Sequence, residues 1–284
     1  MIQSQVLKVL RKSLRVEDLL DWNSFEKKYL NIQRECKTIL SLPEYNTEKE
    51  LSELKQLREA IKDMIGDCIG CANKALDSNK RVILEDDGGE MLGVNYGVHP
   101  HVNGGLSGIT SATAAFGISP KRIDTRIGVV KAYCTRSGNG SFPTEIKGEL
   151  CEHLILKGRE FSDNEKRRCG WLDLNMLKLA HTMNQYSSLM VTKLDVLDEV
   201  PEIKVAIGYK IGERIFNDRI PASYERAEYV YKILRGWKQD TSQTRKFKHL
   251  PKEAKDYIRL IEDTLKVPVT WITVGRTKDH IIRK

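Results

Sequence analysis

The sequence predicts an α/β fold with a largely parallel central sheet and flanking helices. Two observations carry this. Short apolar runs recur at Val82–Leu84, Ile127–Val130, Leu189–Val191, Ile203–Tyr209 and Val267–Val274, each with the length and composition of a buried strand. Helical stretches lie between them, notably 171–185 and 251–266. Strands alternating with helices build sheets that are mostly parallel and covered by those helices.

The elements before residue 79 read differently. A helix is expected over about 24–40, ended by Pro43. Asn46-Thr47-Glu48-Lys49-Glu50 supplies a cap and an acidic first turn for a second helix. Leu54, Ile61, Met64, Ile65, Cys68, Ala72 and Leu76 follow at helical spacing and predict one continuous apolar face. The chain therefore reads as a mostly helical segment over 1–78 and an α/β region over 79–284. No linker or low-complexity tract separates them, so one continuous domain is expected, although 284 residues at ~150 per domain would allow two.

Composition narrows the partners. Lys+Arg is 47 against Asp+Glu 39, a net charge of +8, which favours anionic ligands without choosing among them. Basic and aromatic residues are not interleaved as in base-stacking surfaces, so nucleic acid is not expected. No apolar run approaches the ~20 residues of a membrane span. Met1 to Arg15 has Lys8, Arg11, Lys12 and Arg15 spread through it and does not read as a secretory signal. The 6 cysteines then read as reduced thiols of a cytoplasmic protein. Cys68-Ile69-Gly70-Cys71 is a lone CxxC without a second pair, so helix-face packing is expected of it and no metal site is assigned.

Ligands of parallel sheets sit at the carboxyl ends of the strands, and two polar segments fall there. Thr192-Lys193-Leu194-Asp195 follows an apolar run. A carboxylate at that place can accept from both the N1–H and the 2-amino group of guanine, a donor pair that adenine lacks, and a lysine stem can lie along the base. A solvated strand end is the plainer reading of four residues. Arg167-Arg168 precedes a helix and could clamp phosphate or carboxylate; a surface basic pair with Trp171 as a core anchor is the plainer reading. No GxxxxGK[ST] or GxGxxG phosphate cradle occurs in the sequence.

These segments combine into a recognisable order. Gly128 to Arg136 (GVVKAYCTR) with Phe142-Pro143-Thr144-Glu145 resembles the GVVKAYxTR…FPTE block of adenylosuccinate synthetases. Arg167 to Asp173 (RRCGWLD) and Thr192 to Asp198 (TKLDVLD) match two further blocks of that family. Leu234 to Trp237 is similar to its LPGW, with Arg235 in place of proline, and Pro268 to Gly275 resembles the PVKWIGVG of animal-type members. The resemblance implies an incomplete version of the family's P-loop-NTPase-like fold. It also implies the family reaction of purine (AMP) biosynthesis, in which GTP, IMP and L-aspartate give GDP, phosphate and adenylosuccinate with Mg2+.

The same resemblance assigns residues. Arg167, Lys193, Leu194, Asp195, Thr273, Val274 and Gly275 would bind GTP. Arg11, Gly88 and Asn103 would bind IMP, with Arg11 reaching across a dimer interface, so that 1–78 is the IMP and dimer side. Ser162, Asp163, Asn164, Glu165, Lys166 and Arg167 would form the aspartate loop.

Departures from the family pattern limit what these residues can do. The match begins inside the family sequence. The GDEGKG loop, the catalytic aspartate and histidine and the Mg2+ ligands, which belong to the first third of a typical member, have no counterpart in residues 1–284. No catalytic or metal residue is therefore assigned, and sheet strands expected from that third would leave an unpaired edge. The family's E-G-A-[NQ]-[GA] turn reads Glu85-Asp86-Asp87-Gly88-Gly89, two carboxylates richer near a phosphate ligand. TSSN reads Asn103-Gly104-Gly105-Leu106, and Glu165 stands where an arginine should grip aspartate. The expectation is a chain inactive by itself. The alternative is a non-catalytic paralogue that binds guanine nucleotide or pairs with a full-length synthetase.

Overall fold

A computed structural model describes residues 2–40, 46–86, 89–162, 165–217, 220–221 and 226–284. They fall into two compact units, Met1–Gly97 with Val102–Pro120, and Val98–His101 with Lys121–Lys284.

The first unit is helical: α1 (Ile2–Val9), α2 (Trp22–Leu40), α3 (Thr47–Ile61), α4 (Cys68–Asp77) and α5 (Gly108–Phe116). Leu19, Phe25 and Tyr29 are its buried cluster, flanked by Trp22, Leu51, Leu54 and Ile61. Asn46 caps α3 as expected, accepting from the Lys49 amide. The single helix expected over 47–78 is instead two. A short 3-10 turn at Lys62–Met64 ends the first, and Asp67 caps the second by accepting from the Gly70 amide. Gly66 and Asp67, a helix breaker followed by a strong N-cap, interrupt the apolar periodicity. Cys68 and Cys71 are exposed on α4, so the packing expected of that pair is not found. Val82–Leu84 is not a strand either. With no partner strand, Ile83 is left 82% exposed.

In the second unit the strands and helices run β1 (Ile127–Lys131), β2 (Cys134–Arg136), α6 (Glu149–Gly158), β3 (Phe161–Ser162), β4 (Glu165–Lys166), β5 (Arg168–Gly170), β6 (Leu172–Asp173), α7 (Leu174–Asn184), β7 (Ser188–Thr192), β8 (Glu202–Ile211), β9 (Arg214–Phe216), β10 (Glu228–Arg235), α8 (Lys252–Leu265), β11 (Val269–Thr273) and β12 (Ile281–Arg283). The central sheet is ordered β1-β7-β11-β12. β1, β7 and β11 are mutually parallel, and β12 joins antiparallel. β8, expected within this sheet, centres a second one with β10 and β9 antiparallel and β6 parallel.

Burial in the central sheet is uneven along each strand. Leu189, Val191, Val269 and Ile272 are buried in one core with Ala254, Ile258 and Ile261 of α8. Val129 on β1 is 69% exposed, and among the described residues β1 pairs only with β7. Trp171 anchors this core, as the sequence suggests, and Trp237 is buried in it as well. No helix among the described residues is long and apolar enough to cross a membrane.

Candidate functional site

Because β1, β7 and β11 are parallel, their carboxyl ends lie along one edge, with Lys131 in register with Thr192. The chain leaves β7 at Lys193 in a left-handed turn (φ 61) that starts a 3-10 helix at Leu194. The Thr273 hydroxyl, at the end of β11, accepts from the Lys193 amide at 2.9 Å and ties the two strand ends together. Leu194 and Val274 are buried and can offer a ligand only backbone groups. Gly275 lies against the His280 ring, 2.5 Å from where a Cβ would stand. Thus Lys193 and Asp195 meet Thr273 and Gly275, 80 residues further along the chain, at one edge of the sheet.

Asp195 is half-buried, and burial raises its carboxyl pKa. Its own backbone amide is the hydrogen-bond donor acting on it, and no side-chain cation pairs with it among the described residues. Lys157, a nearby cation, is engaged with Glu199 at 3.3 Å. A half-buried carboxylate with open acceptor positions at a strand end fits a flat ligand with two adjacent N–H donors.

Beside it lies a charge cluster that sequence reasoning did not single out. Glu160, 2% exposed, accepts from Lys131 Nζ (2.9 Å), Lys193 Nζ (2.5 Å) and the Tyr133 hydroxyl (2.8 Å). The Lys193 ammonium also donates to the Gly158 carbonyl at 2.8 Å. Burial works against ionised Glu160, but the donors from Lys131, Lys193 and Tyr133 outweigh it and hold the pKa below the ordinary value. Lys131 is pulled down, chiefly by burial. Lys131 and Tyr133 stand inside the GVVKAYCTR block, but nothing local marks Glu160 as their partner 29 and 27 residues away.

The arginine pair divides. Arg168 makes a two-pronged contact to Glu145 (both 2.7 Å), donates to the Gly140 carbonyl and stacks over Phe142. That role is structural. Arg167 points its Nη1 to within 3.9 Å of Glu160, and its Nε is buried without a partner. Around one carboxylate there are thus three cations, Lys131, Lys193 and Arg167. The local surplus is positive, and Arg167 keeps a free donor for an anionic or carbonyl ligand.

The expected aspartate loop is a tight antiparallel pair, Phe161 with Lys166 and Ser162 with Glu165; Asp163 and Asn164 lie outside the described residues. The Lys166 ammonium is occupied by Glu152 at 2.6 Å. In the first unit, Gln5 of α1 packs on Gly104, next to Asn103, whose amide donates to the Leu92 carbonyl. Arg11 is exposed just beyond α1. Gly88 lies outside the described residues. Asp86 accepts from the Gly108 amide at 2.8 Å, placing a carboxylate on the first turn of α5. No three His, Cys, Asp or Glu side chains among the described residues stand close enough to hold a metal ion.

Comparison with known proteins identifies the family and the fold. The family model for adenylosuccinate synthetase matches residues 4–282. An adenylosuccinate synthetase of Paramecium tetraurelia is 37% identical over 284 residues, which cover 98% of this chain and 65% of that protein. One from Candida glabrata is 38% identical over 288 residues, covering 98% of this chain and 66% of that protein. The solved structure of the fully ligated Plasmodium falciparum adenylosuccinate synthetase superimposes with a TM-score of 0.95 at 32% identity, over 99% of this chain and 68% of that one. The chain therefore spans about two thirds of its relatives' length, and with a match from residue 4 to residue 282 it belongs to the adenylosuccinate synthetase family.

Proposed function

We propose that this chain is an adenylosuccinate synthetase-like protein of purine biosynthesis that keeps the guanine side of the family reaction and does not complete that reaction alone. The observation that carries the reading is the open Asp195 carboxylate at the end of β7, with Lys193 and Thr273 locked beside it. A guanine base laid along the Lys193 stem would donate its N1–H and 2-amino hydrogens to Asp195. A carboxylate receiving two such bonds stays ionised and discriminates against adenine, which has no matching donors. The side of Gly275 at the end of β11 is taken by the His280 ring, so it would meet a base or ribose through its backbone, and the buried Arg167 Nε is a donor for ribose or phosphate oxygen.

IMP and aspartate are the weaker half of the reading. The Asp86 carboxylate already satisfies the amide at the start of α5, where an anionic group would otherwise be favoured. Lys166 is committed to Glu152. Magnesium, which the family reaction uses, finds no convergent ligand set among the described residues, and no step is drawn through it. Residues 1–78 are then the dimer and IMP side of the chain, facing a second copy or a full-length synthetase in the cytoplasm. The alternative is a non-catalytic paralogue that binds guanine nucleotide and pairs with a complete enzyme, and the occupied α5 terminus favours it.

One experiment tests the base site and the inactivity of the chain alone. The purified chain is titrated with GDP by calorimetry, beside Asp195→Asn, and then assayed with GTP, Mg2+, IMP and aspartate. Saturable GDP binding that Asp195→Asn weakens by about a hundredfold or more, the loss expected from two hydrogen bonds to a charged acceptor, supports the base site. No GDP binding sinks it. Steady formation of adenylosuccinate above blank overturns the claim that the chain does not work alone.

A further inference from the structure

Lys193 and Asp195 stand two residues apart in one loop, a cation and an anion at a half-buried strand end. Neighbours of this kind ordinarily pair, because an opposite charge within ~4–6 Å stabilises both ionised forms. Here they do not. The Lys193 ammonium is turned inward to Glu160 and to the Gly158 carbonyl, at 2.5 and 2.8 Å. Two acceptors hold it, and Asp195 is left with its own amide. The Glu160 carboxylate is itself fixed, by the Tyr133 hydroxyl and Lys131 on its oxygens. Its backbone carbonyl accepts from the Arg167 amide at 2.9 Å. Gly158 keeps the bay open, since a Cβ there would stand 2.1 Å from the Tyr133 hydroxyl.

We propose that Glu160 is a positioning residue of the base site: by holding the Lys193 ammonium, it keeps the Asp195 carboxylate free for a guanine base and presents the lysine's methylene stem as the wall of the pocket. This rests on the base-site reading above. Without the Glu160 charge, Lys193 loses its strongest acceptor and pairs with Asp195. The pocket then loses its acceptor without any change to a base-contacting residue. The damage falls on discrimination as well as affinity. Guanine offers N1–H and the 2-amino group, hypoxanthine offers N1–H alone, and both preferences depend on a free carboxylate.

The test titrates the full chain with GDP and IDP, comparing the parent with Glu160→Gln, Glu160→Gln/Lys193→Met and Asp195→Asn. Glu160→Gln is expected to weaken GDP by about tenfold, one hydrogen bond's worth, and to shrink the GDP-over-IDP preference. Adding Lys193→Met should recover part of that loss, because the competing ammonium is gone. A purely structural Glu160 predicts the opposite, a double variant no better than the single one, and that outcome overturns the proposal, as does unaltered GDP binding by Glu160→Gln. If Glu160→Gln does not fold, carboxyl-detected NMR of the parent decides. Asp195 should titrate above an ordinary aspartate, whereas a value below it means that a cation already sits on the carboxylate. If the parent does not bind GDP, or if Asp195→Asn binds as well as the parent, the base-site reading fails. The Asp195 titration still decides whether Lys193 is held away.

Discussion

Glu160 is an acid that burial opposes and three donors rescue, so it links the charge cluster to pH. Its folded pKa lies below the 4.5 of an unperturbed glutamate. A depressed carboxylate contributes stability that is present above the unfolded pKa and lost as pH falls through the folded one. Burial raises Asp173, Asp195 and Asp198, which act in the opposite sense, so absolute stability mixes the two signs. The difference between Glu160→Gln and the parent isolates Glu160. At pH 7 the variant should be less stable by about 2–3 kcal/mol, less than for a fully buried pair because Lys131 and Lys193 keep some water contact. The gap should begin to narrow below about pH 4.5 and close only once pH has fallen through the lower folded pKa, since a protonated Glu160 resembles glutamine. Urea unfolding at a series of pH values measures it, and a gap of constant size across the series would show that the charge contributes nothing.

At the scale of elements, one carboxylate joins a helix to a strand. Asp173 ends β6 and caps α7, accepting from the Asn175 and Met176 amides at 2.9 and 3.2 Å. Its other oxygen accepts from the buried Tyr209 hydroxyl of β8 at 2.8 Å. Asp173→Ala removes the cap and takes the carboxylate acceptor away from the buried Tyr209 hydroxyl, for a loss of about 2–4 kcal/mol. Asp173→Asn keeps an acceptor oxygen and removes a charge that burial disfavours, so it should cost less than the alanine. Chemical denaturation of both variants checks the order, and a reversal would mean that the carboxylate's charge outweighs its geometry.

This element was half legible. The RRCGWLD block places an aspartate at the start of a helical stretch, which is a cap signature. Its second contact, to a tyrosine 36 residues away, has no local sign. The strands that became the central sheet were readable because short apolar runs bounded by polar and turn residues report burial, even though β1 keeps one exposed side at Val129. Val82–Leu84 has the same composition, but a strand exists only with a partner, and pairing is not written in a three-residue run. The break between α3 and α4 was readable in retrospect from Gly66-Asp67, where cap chemistry outweighs apolar periodicity.

Across the whole chain, the site inherits this division between local and distant information. Lys193 and Asp195 could be singled out because they stand two residues apart in one loop, while Glu160 became visible only when the sheet brought β1, β7 and the end of α6 together. The same division governs stability. The second unit buries Leu154, Leu174, Leu189, Val191, Leu194, Val205, Ile258 and Ile272 completely. α3 and α4 of the first unit bury no residue. Helices without buried side chains rest on propensity, caps and marginal contacts, and they open locally well below the free energy of global unfolding. Hydrogen exchange should therefore protect β7, β11 and α8 together, at the slowest rates in the chain. Amides of α3 and α4 should exchange about a hundredfold faster or more, the ratio set by an opening cheaper by about 2.7 kcal/mol or more. If α3 and α4 exchange as slowly as β7, they are held by contacts that their exposure does not reveal, and the second unit alone would not account for the stability of the chain.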